Sequence, residues 1–312
     1  MRTPVVLTSF NRPTYTARVL EALAVVQPPI LFALVDGPRN DGDREQIEAT
    51  KALFERLPWK TELIRDFAEE NLGVPRRMCS GLDAAFDQFE EVIVFEDDSL
   101  PDPSFFPYCE ELLERYRDEP RVAQIKGTCF THAPEQERSY TFTQLASATG
   151  WGSWRRVWRE FDHSFYDSER AEALRRKPLS RLAQLSRLVR EPWPEVDEDP
   201  QLRARVERCG QLTSRWMKLV DTQLTSGSWL GALTFHIVRG DSLVASPLRN
   251  LVTNTGYNPS ATLTTTPNPF GDRPCEPMPF PLHHPPIELD LDAHRREAEE
   301  RDKAFFGYEF GG

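Results

Sequence analysis

The sequence predicts an α/β fold: a mostly parallel sheet flanked by helices, followed by a helical insertion and an extended C-terminal segment. Three observations carry this. Over the first 130 residues, short β-rich runs alternate with stretches of helical spacing. Each of the first four β-rich runs ends in a polar, turn-forming segment, as strands that open onto a shared crevice require. After residue 140 this rhythm stops.

In chain order, strands are expected at Val5 to Phe10, Ile30 to Val35, Glu62 to Ile64, Val92 to Phe95 and Val122 to Ile125. Between them, apolar residues at three-and-four intervals predict helices over Thr14 to Val26, Arg44 to Leu57, Arg76 to Phe89 and Ser104 to Arg117. Strand and helix in strict alternation imply crossover connections and a parallel sheet covered on both faces. Further on, TGWGSWRRVWREF places Trp151, Trp154 and Trp158 at helical spacing, with Gly150 and Gly152 leaving Trp151 on a loop. Trp151 is therefore expected near a ligand and the other two in the core. Ser168 to Arg190 and 202 to 224 read as helical, 269 to 290 as an extended Pro-rich segment lying along the surface, and Ala293 to Phe305 as a last helix.

Composition limits the function. The chain has 312 residues, 39% of them hydrophobic, so it can bury a substantial core. A net charge of -11 argues against broad attachment to nucleic acid or anionic lipid. The five cysteines are widely spaced, with no C-x-x-C pair, which fits reduced thiols in a cytoplasmic protein. No stretch approaches the roughly 20 apolar residues of a membrane span, and the apolar run at the start is too short for a secretory signal.

The segment VIVFEDDSL, residues 92 to 100, drives four apolar residues straight into Glu96, Asp97 and Asp98. If the strand stays regular, Glu96 and Asp98 share a face and Asp97 points away. Such a cluster repels itself unless a cation sits against it. At a strand end in this sheet, oxygen ligands suit a hard cation, Mn²⁺ or Mg²⁺, and such an ion can bridge carboxylates to a diphosphate. A glycosidase fits less well, because its two acids must face each other across the substrate. Arg12 and Asp36 follow strand ends and can reach the same crevice. Arg76 and Arg77 are adjacent, so at least one faces solvent. His236 sits in an apolar run, and the six His show no metal spacing.

The stretch NLGVPRRMCSGLDAAFDQFEEVIVFEDDSLPDPSFFPYCEELLERYRDEPRV resembles the central segment of bacterial glycosyltransferases of the GT-A fold, the family 2-like or hemolytic-protein-like sugar transferases. More distantly it is similar to N-acetylglucosaminyltransferase I. SFNRP, VDGP, TGWGSWRRVW, VDTQ and NLVTNTGYNPSAT match in order, covering residues 1 to about 265. The resemblance implies a Rossmann-like GT-A domain over 1–265, with 1–130 as nucleotide-binding half and 140–265 as acceptor half. The acceptor half carries a helical insertion at about 165–215, and 266–312 is an extension. It further implies Asp98 as metal ligand, with Glu96 and Asp97 toward the ribose or metal-bound water and Arg12 toward the diphosphate. Asp36 would receive the imide of uracil, Asn71 and Arg76 would line the nucleotide pocket, and Asp221 would be the general base; Trp151, from its loop position, is expected by the sugar or acceptor. The expected reaction is metal-dependent transfer from a nucleotide-diphosphate sugar, a UDP-sugar, to a carbohydrate or other hydroxyl acceptor, with inversion. Leu224 and Leu263 depart from the family pattern on the acceptor side. The rivals are a sugar nucleotidyltransferase, which normally has a Gly-rich loop that SFNRPTY lacks, and an inactive sugar-binding protein on the same fold.

Overall fold

The computed structural model describes residues 1–131, 137–163, 200–201, 204, 229–257 and 268–306. Asp221, Leu224, Leu263 and nearly all of the two helical stretches expected between 168 and 224 lie outside them.

The first half follows the expected alternation: β1 (Val5–Ser9), α1 (Pro13–Val26), β2 (Ile30–Val35), α2 (Asp41–Phe54), β3 (Glu62–Phe67), α3 (Val74–Gln88) and β4 (Glu91–Glu96). β1, β2 and β4 read as unbroken apolar runs because Val5 to Leu7, Leu31 to Val35 and Val92 to Phe95 are buried, as strands covered on both faces must be. β3 runs three residues beyond expectation. It is an edge strand with no fully buried position, so Arg65 and Asp66 interrupt its apolar run. α3 starts two residues earlier than expected, since Pro75 in its first turn gives up an N–H that has no helical partner there. Asn40 caps α2, its side chain accepting from the Asp43 N–H at 3.1 Å.

Next come β5 (Ser99–Pro101), α4 (Phe105–Arg115), β6 (Val122–Lys126), β7 (Tyr140–Thr143), β8 (Trp151–Trp154), α5 (Arg155–Glu160), α6 (Trp229–Arg239), β9 (Leu243–Pro247), β10 (Val252–Asn254) and α7 (Leu291–Phe306). Eight strands form one sheet in the order β3-β2-β1-β4-β8-β6-β9-β7. β3, β2, β1 and β4 run parallel, as do β6 and β9. β8 is antiparallel between β4 and β6, and β7 is antiparallel to β9 at the edge. β10 and β5 make a separate antiparallel pair. The sheet is thus mostly parallel and flanked by helices, as the sequence predicts.

The tryptophan segment corrects an expectation. Trp151 and Trp154 lie in strand β8, not on a helix or a loop, and they project from opposite faces. Trp151 packs against Trp229 of α6, with ring centroids 5.8 Å apart. Trp154 donates from Nε1 to the Leu113 carbonyl of α4 at 3.2 Å. Trp158, in α5, stacks on Phe86 of α3 and donates to Asp83 at 2.7 Å. Through Trp151 and Trp154 the sheet meets α6 and α4, while Trp158 joins α5 to α3.

The C-terminal segment runs extended along the surface and then docks. Met278 N–H bonds the Ser104 hydroxyl at 2.8 Å, His283 pairs with Ser139, and Asp290 N–H reaches the Phe142 carbonyl at 2.9 Å. α7 packs against β7 and sends Glu297 to the fully buried Lys126 at the end of β6. Arg301, one turn on, reaches the Ala146 carbonyl at 2.9 Å.

Candidate active site

The chain leaves β1 to build β2 and β3 on one side and returns to add β4 on the other, so strand order reverses between β1 and β4. A crevice opens at the carboxyl ends of two such strands. Thr8 of β1 lies opposite Glu96 of β4, so the segment after Ser9 and the segment after Glu96 leave the sheet side by side.

There the acidic run meets its cation. β4 ends at Glu96, and a turn then carries Asp97 and Asp98 into β5. The regular alternation expected of the triplet stops at this turn, which brings both aspartates to Arg12 instead of separating them. The Arg12 guanidinium donates to Asp97 from Nε at 3.3 Å and from Nη2, and to Asp98 Oδ2 from Nη2 at 3.0 Å. It also lies over the Tyr15 ring, 5.1 Å from the guanidinium carbon to the ring centroid. Asp97 and Asp98 are buried, and Arg12 is held above its usual pKa, the two carboxylates outweighing the opposing effect of burial.

The turn is fastened from far along the chain. Thr255 donates its N–H and its hydroxyl to the Asp98 carbonyl at 2.9 and 3.2 Å. A Cβ on Gly256 would overlap the Asp98 carboxylate, so only glycine permits this approach. Asp98 Oδ1 is buried and has no hydrogen-bond partner among the described residues. One oxygen thus faces Arg12 while the other is an unused hard donor, which suits Mn²⁺ or Mg²⁺. No group of three or more His, Cys, Asp or Glu side chains that could hold a metal occurs among the described residues.

Burial pushes the Glu96 carboxyl up to about 8, with Asp98 and Asp97 adding and the Trp229 hydrogen bond and Arg12 opposing. Asp97 is pushed up to about 6, again chiefly by burial, with Arg12 opposing. Between its ordinary value of 4.5 and about 8, Glu96 keeps a proton in the folded chain that the unfolded chain has released. The folded state binds more protons, so stability falls as pH rises through that window. In EDTA, Glu96→Gln is expected to flatten this decline and to stabilise the chain at pH 8 by on the order of 2 kcal/mol, with little effect at pH 4. Denaturant titrations at both pH values measure it. An equal effect at the two pH values contradicts it.

Asp36 and Asn71 come together at the ends of β2 and β3. Asp36 Oδ1 accepts from the N–H of Gly37 and of Leu72, both at 2.9 Å, and Oδ2 accepts from Asn71 Nδ2 at 2.9 Å and Gly73 N–H at 3.0 Å. Four donors fill the acceptor capacity of this carboxylate, so it closes the loop before α3 rather than presenting a free acceptor. Gly37 lies so close to the Glu70 backbone that no side chain fits. On the near side of this loop, Asn11 donates to Asp43 at 2.5 Å and Arg39 pairs with Asp43 at 2.7 Å, holding Asp43 down to about 2. Arg76 is exposed on α3, while Arg77 is buried and paired with Asp66 at 2.9 Å.

Trp151 is 1% exposed, and its Nε1 is buried without a hydrogen-bond partner. Sequence reasoning missed Trp229, Thr255, Gly256 and Tyr15 as neighbours of the triplet. Thr255 and Gly256 sit within the quoted NTGYNPSAT match, whereas Trp229 carried no signal.

No family model matches the chain, and no curated protein does. Solved structures match at low similarity. UDP-glucose pyrophosphorylase complexed with UDP-glucose is 8% identical, with a TM-score of 0.33, over 51% of this chain and 79% of that one. The 4-diphosphocytidyl-2C-methyl-D-erythritol synthase of Anaerococcus prevotii is 9% identical, with a TM-score of 0.34, over 60% and 84%. Mouse xyloside xylosyltransferase 1, apo form, is 13% identical, with a TM-score of 0.35, over 76% and 81%.

Proposed function

We propose that this chain is a divalent-metal-dependent glycosyltransferase that moves a sugar from a uridine-diphosphate donor to a hydroxyl acceptor with inversion. The observation that carries the reading is the cluster of half-buried Arg12 with buried Asp97 and Asp98 in the crevice between β1 and β4, with an orphaned oxygen on Asp98. In this reading Asp98 would hold the metal, and Arg12 offers the diphosphate a positive charge already oriented by two carboxylates. The metal, when bound, stabilises charge on the departing diphosphate. Asp36 and Asn71 act through the loop they close, shaping the wall against which the base rests. Asp221, named by resemblance, takes the acceptor proton as the new bond forms. The absence of glycine from the turn between β1 and α1 disfavours a nucleotidyltransferase, which cradles a triphosphate there.

Calorimetry with UDP and UDP-sugars tests this. With Mn²⁺ the chain is expected to bind UDP, and EDTA to weaken binding at least tenfold. Incubation with a UDP-sugar and acceptors gives UDP and a product of inverted anomeric configuration. Equal UDP affinity with and without EDTA overturns the metal role. Pyrophosphate release from UTP and a sugar phosphate supports the nucleotidyltransferase instead.

A further inference from the structure

The two oxygens of the Asp98 carboxylate stand in different surroundings. Oδ1 is buried without a hydrogen-bond partner among the described residues, whereas Oδ2 accepts from Arg12 at 3.0 Å. The Gly256 backbone lies against that same Oδ2, so closely that a Cβ there would overlap it. With Oδ2 held between Arg12 and Gly256, the direction in which Oδ1 faces depends on where Gly256 stands. Gly256 is placed by Asn254, whose Oδ1 accepts the Gly256 N–H at 2.7 Å in a side-chain turn that bends the chain as it leaves β10. The same bend brings Thr255 to the Asp98 carbonyl.

Asn254 has three further attachments. Its backbone lies opposite Ser99, the residue after Asp98, in the β10–β5 pair. A backbone N–H can only donate, so the amide oxygen faces Gly256 and Nδ2 is left for the Thr149 hydroxyl, to which it donates at 3.1 Å. The Asn254 carbonyl accepts the Asp272 N–H at 2.9 Å, which ties it to the C-terminal extension. There Asn268 organises the turn: its Oδ1 accepts the Phe270 N–H at 2.9 Å, its carbonyl accepts the Gly271 N–H at 2.8 Å, and its Nδ2 donates to the Ala304 carbonyl of α7 at 3.1 Å. Thr149, Asn254, Tyr257 and Phe270 are among the residues that close around a cavity of about 10 Å³, room for a single water. Packing that tight passes a displacement on rather than absorbing it.

We propose that Asn254 is a positioning residue for Asp98, and that the C-terminal extension, through Asn268 and Asp272, completes the corner in which Asp98 is presented. Residues 266–312 lie beyond the stretch that resembles the sugar transferases, so this role belongs to the chain's own extension. The inference rests on the proposed ligation of a divalent metal by Asp98 and adds what aims its unpartnered oxygen.

Calorimetry with UDP, once in Mn²⁺ and once in EDTA, tests it on the full chain and on Asn254→Ala, Thr149→Val, Thr149→Ser and Asn268→Ala. The quantity read is the ratio of the two affinities, which isolates the share of binding that passes through the metal. Asn254→Ala and Thr149→Val are each expected to lower that ratio at least threefold while affinity in EDTA stays within twofold of the wild type. Thr149→Ser keeps the hydroxyl and is expected to keep the wild-type ratio. Asn268→Ala, one step further from Asp98, is expected to lower it in the same direction by about twofold. Thr149→Val preserves the shape of the side chain and does not touch Asp98, so it decides the case where Asn254→Ala fails to fold. A wild-type ratio in Thr149→Val, or equal losses in Mn²⁺ and EDTA, overturns the inference and leaves the parent reading intact. A wild-type ratio in Asn268→Ala overturns the part assigned to the extension. A wild-type chain that binds UDP equally in Mn²⁺ and EDTA overturns the metal role and this inference together.

Discussion

Glu297→Ala is expected to destabilise the chain by about 3–5 kcal/mol, the cost of stranding a buried charge. Glu297 stands between two buried cations: it pairs with Lys126 and lies 3.7 Å from Arg301, and all three are under 5% exposed. Burial already drives the Lys126 ammonium below its ordinary pKa, with Glu297 opposing. The neighbouring His294 is pushed down to about 3, chiefly by burial and then by Lys126 and Arg301, and its Nδ1 accepts the Gln144 N–H at 3.2 Å. With the carboxylate gone, nothing in this group offsets the two positive charges. A lower denaturation midpoint at unchanged m-value measures the loss. Replacing Lys126 and Glu297 together with Met and Leu should recover part of it, because an apolar pair of similar volume often serves as well as a buried ion pair, while Arg301 still lacks its carboxylate. A single variant as stable as the wild type would show that α7 does not depend on this contact.

Asp98→Asn is expected to lower sugar transfer by about 10³-fold, roughly 4 kcal/mol of transition-state stabilisation, while leaving the fold in place. The substitution keeps the size of the side chain and removes the negative charge that the proposed metal requires. Arg12 retains Asp97, so the turn stays anchored. Initial rates at saturating Mn²⁺, with melting temperature as control, separate chemistry from stability. Turnover within threefold of the wild type at equal melting temperature refutes the assignment of Asp98.

Where a strand is covered on both faces, the sequence showed it plainly: VVLTS, ILFALV and EVIVFE are apolar because their surroundings are. β5 was illegible, having three residues, one of them Pro, and a partner strand far along the chain. In WGSW the spacing of two tryptophans imitates a helix, although in the strand they serve opposite faces, one against α6 and one against α4. At the site, residue types and strand ends located Arg12 and the acidic run, but the repulsion within the run hid how it is relieved. A turn in place of a continued strand delivers two aspartates to one guanidinium, and no periodicity encodes that. Asp36 illustrates the converse, since a polar residue at a strand end reads as a ligand contact until its four protein donors are seen.

The fastening of Asp98 by Thr255 joins residues 157 apart in the chain. A chain emerging from the ribosome would form β1 to β4, with Arg12 and its aspartates already close, well before Thr255 and Gly256 are made. The acidic corner is therefore fastened only after the strands around it have formed, because loop closure over such a span is entropically slow. A growing chain would hold this corner unfastened until Thr255 and Gly256 have been made and folded back onto it.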